Sequence, residues 1–422
     1  MLHLHRAERS DTLADALADV LATPVADPFT AEVVAVPARG VERWLAHRLA
    51  HRLGAAGERG DGVCAHVHFP APAEVVATAV EGATGIATDA DPWHPARAVW
   101  PLMEVVEACS GRPWCASLAA HLGRARSRFA VVAHLAGLFA AYAAHRPGLL
   151  DAWRDGDDAD VPADLRWQPE LWRALRARIA TPDPAERLTA AVAALQRDPA
   201  LAALPERISL FGPTRLPADH LAVLAALGHH RDVHLWLPHP SPALWQRIEP
   251  VAAGVPARRA DPTAELPRNA LLASLGRDVR ELQLRLSAVT SADTHHPRPD
   301  EPPATLLERL QRDLRDDAAP SASHVLAAGD RSVQVHACHG PHRQVEVLRE
   351  VVLGLLAADP TLEPRDVLVA CPDVETFAPL VSAVFGLDSG QAMRTSRGSS
   401  VGSVASRPST ISRSTSTCRC GP

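Results

Sequence analysis

Residues 32–45 constrain this chain more than any other stretch, because they read as a strand, a turn and a helix in immediate succession. Val33, Val34 and Val36 form the β-branched run expected of a strand buried in a parallel sheet. The turn falls at Arg39 and Gly40. Beyond it Val41, Trp44, Leu45 and Leu49 recur along one helical face, and the helix is expected to run to about Leu53. Nucleotide-binding α/β proteins place a phosphate loop in a strand–turn–helix this near the N-terminus. Such a loop needs several glycines and a Gly-Lys-Ser/Thr ending, so that backbone N–H groups and a lysine hold the phosphates. This turn has one glycine, with arginines where the lysine is needed, and the chain contains no lysine at all. The scaffold looks like that of a nucleotide-driven motor whose key residue is missing.

The flanking pattern fits that scaffold. Leu2–His5 reads as an earlier strand, with Ser10 capping a helix over Asp11–Leu21. Val63–Phe69 is a third strand, and a helix follows from Ala73. Strands separated by helices imply a parallel, doubly wound sheet with right-handed crossovers. From about Asp89 to Thr181 the pattern turns helical, with an amphipathic helix over Phe129–His145 that Pro147 closes. The sheet resumes at Ile208–Phe211 and Val233–Leu237, with a helix over Pro217–Leu227 between them. Proline-rich Ser291–Thr305 reads as a loop and Leu306–Leu314 as a short helix. A second α/β unit then begins, with strands at Val333–Val335 and Val367–Ala370. Its helices are Arg343–Leu356, with Val345, Leu348, Val351, Val352 and Leu355 inward, and Val374–Phe385. The expected division is 1–85 for the first part of an α/β domain, 86–204 for a helical insertion and 205–317 for the second part. A linker at 318–332, the start of a second α/β domain at 333–388 and a tail at 389–422 complete it. The tail is rich in Ser, Thr, Arg and Gly with almost nothing to bury, and is expected to be disordered or an out-of-frame read.

Net charge is −6, and the five arginines of the acid-free tail leave the body still more acidic, so DNA contact would need a local basic patch. No apolar run is expected to reach the ~18 residues that span a bilayer, and the polar N-terminus lacks a secretion signal's apolar core. A cytoplasmic protein is expected. Seven cysteines without paired spacing argue against a disulfide framework. His336, Cys338, His339 and His342 collect metal-ligand types, but a clean tetrahedral set is not among them, and no metal is expected. Trp153, Trp167 and Trp172 could stack on bases, although core packing of a helical region is the commoner use.

Several short stretches together resemble the RecC family, the gamma subunit of exodeoxyribonuclease V. They are Asp27–Phe29 before Glu32–Val36, Gly40 with Trp44 and Leu45, Phe69–Ala73, His145–Pro147, Trp167–Trp172, and Asn269–Ser274 with Gly276–Asp278. His336–Leu348 followed by Asp359–Val369 is the strongest. The resemblance runs collinearly over residues 1–388. It implies an inactivated superfamily 1 helicase fold and a non-catalytic subunit of a helicase–nuclease that repairs double-strand breaks by homologous recombination. It also implies RecB-like helicase–nuclease and RecD-like helicase partners, which use the ATP and Mg, and contact with DNA ends and single-stranded DNA. This chain would then carry no cofactor and no active site of its own. In the family, a channel that inspects one strand for the recombination signal Chi takes residues from the turn before Trp44 and from the helix ending at His145–Pro147. Leu138 and Arg146 match the family pattern there, and with Arg39 and Arg43 of the first turn they are the expected DNA-binding residues. Pro37, Arg39 and Arg43 replace polar uncharged residues of the family, and Ala77 replaces an aromatic, so the expectation is that this protein reads a different sequence or none. The alternatives are a non-functional fragment of a broken gene and an active ATP-dependent helicase or exonuclease. The missing lysine weighs against the second.

Overall fold

The computed structural model describes residues 1–27, 29–53, 62–158, 161–251, 261–289, 292–299, 301–319, 325 and 327–386. The tail expected at 389–422 lies outside the described residues. The chain divides into two units, Met1–Asp330 and Arg331–Pro422.

The first unit is built on six parallel strands, β1 (Leu2–Ala7), β2 (Glu32–Ala35), β3 (Val67–His68), β4 (Arg207–Phe211), β5 (Asp232–Pro238) and β6 (Ala292–His295). They lie in the order β3-β2-β4-β5-β1-β6. Helices α1 (Ser10–Leu21) and α2 (Arg39–Ala50) cover one face. There Leu13, Leu17, Leu45 and Leu49 meet Ala7, Val34, Phe211 and Trp236. The other face carries α3 (Pro72–Thr84), and six further helices follow it before β4: α4 (Pro95–Cys109), α5 (Ala116–Arg124), α6 (Arg128–His145), α7 (Pro147–Arg154), α8 (Trp167–Ile179) and α9 (Pro184–Arg197). Helices α10 (Ala218–Leu227), α11 (Pro242–Ile248), α12 (Ala270–Leu275), α13 (Arg277–Leu286) and α14 (Leu306–Arg315) complete the unit. Leu4, Ala35, Leu210 and Leu235 of the sheet pack against α3, α9, α10 and α13 on this second face. Full burial of Leu45 and Leu49 on α2 contributes about 2 kcal/mol each. Arg207, at the start of β4, pairs with Glu32 and donates to the Val20 and Thr23 carbonyls, which locks the start of β2 in place.

Helices α4 to α9 form a core of their own, in which Trp153 and Trp172 are fully buried and meet edge to face at 6.1 Å. These tryptophans pack; they do not present faces to a ligand. Helix α6 reaches 18 residues with mean hydropathy 1.2, long and apolar enough by length and composition to span a bilayer, contrary to the reading of the sequence. It is a core helix instead, burying Val132, Leu135, Ala136, Phe139 and Ala143 in this cluster.

Several boundaries differ from expectation. Arg39 and Gly40 are not a turn but the first residues of α2, whose N-cap is the extended Ala38, and the helix ends at Ala50. Ser10 is likewise the first helical residue of α1 and not its cap. The third strand shrinks to two residues. The proline-rich stretch holds β6, which adds to the free edge of β1 by pairing His3 to Ala292 and Arg6 to His295.

In the second unit, α15 (Gly340–Ala358) and α16 (Val374–Phe385) pack on each other. The strands expected at Val333–Val335 and Val367–Ala370 do not form among the described residues, and Val335 and Leu368 are over nine-tenths exposed. A strand needs a neighbour for its N–H and C=O groups. Without a sheet the stripe on α15 has little to lie on: Val345 is buried while Leu355 is exposed.

Candidate nucleic-acid interface

In an open parallel sheet, ligands meet the carboxyl ends of strands whose following helices leave on opposite faces. Strands β2 and β4 are such a pair, registered Val33 to Ile208 and Ala35 to Leu210, with α2 leaving on one face and α10 on the other. Arg39 and Arg43 stand on the first turns of α2, spaced i to i+4 and therefore on one side of the helix, both exposed. Among the described residues neither makes an ion pair. At the other end of α2 Arg48, and Arg52 in the turn just beyond it, bind Asp15 of α1 at 2.8 and 3.1 Å. Ala38 has no side-chain oxygen to cap the first-turn N–H groups, and the positive end of the helix suits an anion. Trp44, 40% exposed, reaches across to Phe211 at the end of β4, ring centroids 6.1 Å apart.

Beyond Phe211 the chain turns at Gly212, where a φ of +72° suits glycine, and its N–H binds the Trp236 carbonyl at 2.9 Å. This turn delivers Arg215, paired with Asp278 at 2.7 Å. Arg146 arrives from the helical core. It is the exposed residue between α6 and α7: its N–H closes α6 on Tyr142, and its carbonyl accepts the Leu149 N–H at 3.0 Å. Electrostatics shows what surrounds it. Burial, and then the guanidiniums of Arg285, Arg215 and Arg146, hold His145 below the usual imidazole value. Burial and then His145 do the same to His220. Asp219, on the first turn of α10, is pushed up to about 6 by burial, against the opposing pull of its N–H hydrogen bonds and Arg285. Three arginines and two histidines thus couple electrostatically, from α6 and the residue that follows it, from α10, from α13 and from the β4–α10 turn, together with the carboxylates Asp219, Asp278 and Glu281.

The four expected DNA-binding residues are therefore not one cluster. Arg146 joins Arg215, Arg285, His145 and His220. Arg39 and Arg43 stand on α2, at the carboxyl edge of the neighbouring strand. Leu138 lies two turns before Arg146 on α6 and packs against the helical core. The first strand–turn–helix of the fold is β1–α1, linked by Glu8 and Arg9 alone. That link has no glycine, and Glu8 accepts from His295 at 2.9 Å. It is too short to cradle phosphates.

Residues 2–317 match the family described as RecC, N-terminal domain. The chain belongs to the RecC family. It is 49% identical over 399 residues to the RecBCD enzyme subunit RecC of Mycobacterium tuberculosis, covering 92% of this chain and 36% of that protein. Against the RecBCD enzyme subunit RecC of Mycolicibacterium smegmatis identity is 49% over 396 residues, covering 92% and 34%. Against that of Escherichia coli it is 26% over 375 residues, covering 77% and 33%. The chain spans about a third of the length of the relatives it matches.

Of the cluster around Arg146 in this RecC-family chain, Arg215, Arg285 and His220 escaped the sequence reading. Arg215 had a usable signal, since it follows a strand and a glycine turn. Arg285 had none; it lies on an ordinary amphipathic helix and is brought in by packing.

Proposed function

We propose that this chain is the DNA-guiding front portion of a non-catalytic RecC subunit, working in a helicase–nuclease that processes double-strand breaks for recombination. The observation that carries this reading is the electrostatic coupling of Arg146, Arg215 and Arg285 around His145, where Arg215 follows the carboxyl end of β4, together with the exposed Arg39 and Arg43 on the first turns of α2, which make no ion pair among the described residues, in a chain of net charge −6. Phosphates of a single strand would be met by these guanidiniums, which position the strand without reading its sequence. The sheet order and the helices on both faces suit an inactivated superfamily 1 helicase, with a glycine-free β1–α1 link where a motor would hold phosphates. ATP hydrolysis then belongs to RecB-like and RecD-like partners.

The test is titration of the full chain against a labelled single-stranded oligonucleotide, with co-purification against the two partner subunits. Binding that weakens severalfold in Arg146→Ala, with no ATPase activity in the isolated chain, is the expected result. Undiminished binding in a variant lacking Arg39, Arg43 and Arg146 together would remove the proposal.

A further inference from the structure

The chain carries 49 acidic residues, and none of them falls within 108–150. A coding bias toward arginine does not delete carboxylates, so this gap is a property of the surface that the stretch builds. It contains five arginines, and three of them, Arg124, Arg126 and Arg128, crowd the turn between α5 and α6. All three are exposed, and among the described residues none makes an ion pair. Arg128 also occupies the first turn of α6, which has no acidic residue, where the helix dipole disfavours a cation. Next to it is an aromatic pair the fold does not use: Trp100 of α4 is 62% exposed and Phe129 of α6 48%, with ring centroids 5.6 Å apart. The carboxylates further along the exposed side of α4 are Glu104, paired with Arg178 at 2.6 Å, and Glu107.

We infer that Trp100 and Phe129, with Arg124, Arg126 and Arg128, form a second contact site for single-stranded DNA, at the opposite end of α6 from Arg146. Exposed rings stack on unpaired bases whatever their sequence, and flanking guanidiniums take the phosphates. An acidic protein partner would satisfy the arginines but would give the ring pair no stacking partner. The 18 residues of α6 hold the two sites ~27 Å apart on a rigid rod. The inference rests on the DNA-binding reading above.

The experiment measures anisotropy of labelled oligothymidylate, and of a duplex of the same length, against the full chain over a range of salt. The variants are Trp100→Ala, Trp100→Phe, Phe129→Ala and the triple Arg124→Gln, Arg126→Gln, Arg128→Gln. Loss of one stacking ring should weaken single-strand binding roughly tenfold, and Trp100→Phe should restore most of it. The triple variant should lower the slope of log K against log salt by about 2, since each phosphate contact on a single strand contributes about 0.7. Duplex binding should respond to the triple variant and not to Trp100→Ala. If Arg146→Ala weakens binding while every patch variant binds like the parent with an unchanged slope, the patch is not a DNA site and the reading at Arg146 stands. If patch variants keep DNA but lose co-purification with a partner subunit, the surface docks protein and the inference is overturned. Absence of any binding by the parent chain would overturn both readings together.

Discussion

Replacing Asp183 by alanine removes two attachments at once. Its carboxylate is wholly buried and accepts the N–H groups of Ala185 at 2.9 Å and Glu186 at 3.2 Å, which caps α9. It also receives Arg154 of α7 at 2.9 Å. Because α7 begins immediately after Arg146, this pair ties the segment that carries the candidate DNA contact to the helical core. Loss of the cap costs about 1 kcal/mol. Loss of a charge-assisted hydrogen bond costs ~1.5–3 kcal/mol, and the lower end applies because Arg154 keeps Asp151 at 2.9 Å. The expected total is about 2.5–3 kcal/mol. Asp183→Asn, which preserves the capping oxygen and drops the charge, should cost about 1 kcal/mol less than alanine. Urea unfolding followed by tryptophan fluorescence reads this directly, since Trp153 and Trp172 report on the same core. A shift in midpoint at constant slope gives the difference. A coupling of at least ~1 kcal/mol between Asp183→Ala and Arg154→Ala should appear in a double-mutant cycle. Equal destabilisation by asparagine and alanine would refute the capping argument, and a total below ~0.5 kcal/mol would refute the whole account.

Gly82 of α3 faces the Leu201 carbonyl so closely that a Cβ there would collide with backbone. Gly82→Ala should therefore destabilise by ~1–3 kcal/mol despite its better helix propensity, and a raised melting temperature would contradict that. Stability should also fall in mild acid. His239 is pushed down to about 3 and His5 to about 3, mainly by burial, and His234 to about 4 for the same first reason. Each folded value lies below the unfolded 6.5, so the unfolded chain binds more protons as pH drops. The neutral-pH stability is lost from about 6.5 down toward the folded values. Enclosed His239 contributes ~1.4 kcal/mol per pH unit across that window, and His5 and His234 add to it in the same direction. Chemical unfolding at pH 7 and pH 5 checks this, and equal midpoints would contradict it. Arg207→Ala should release β2 from β4 and lower stability by more than a surface pair would, because Arg207 ties Glu32 and two carbonyls. A change within ~0.5 kcal/mol would place the clamp among ordinary surface ion pairs.

What this chain's sequence determined by itself is what local chemistry decides. Helices formed where apolar residues recur at helical spacing, as on α2 and α6, because each helix closes its own hydrogen bonds. The absence of lysine weighed against a phosphate-loop motor before any fold was known, and collinear short motifs were enough to mark the RecC family. Strands were legible only where tertiary partners existed. Val33–Ala35 found β4, whereas Val333–Val335, equally β-branched, found no ladder among the described residues and stayed exposed. Polar Ala292–His295 became a strand because β1 had an open edge. The order of the sheet followed from crossovers, and it alone put the turns after β2 and β4 side by side. The site depended on the same thing. Arg146 was visible as a cation at a helix end, but its neighbours Arg215 and Arg285 come from residues far along the chain. Their approach is set by how α6, α10 and α13 pack, a global balance of burial that no local pattern encodes.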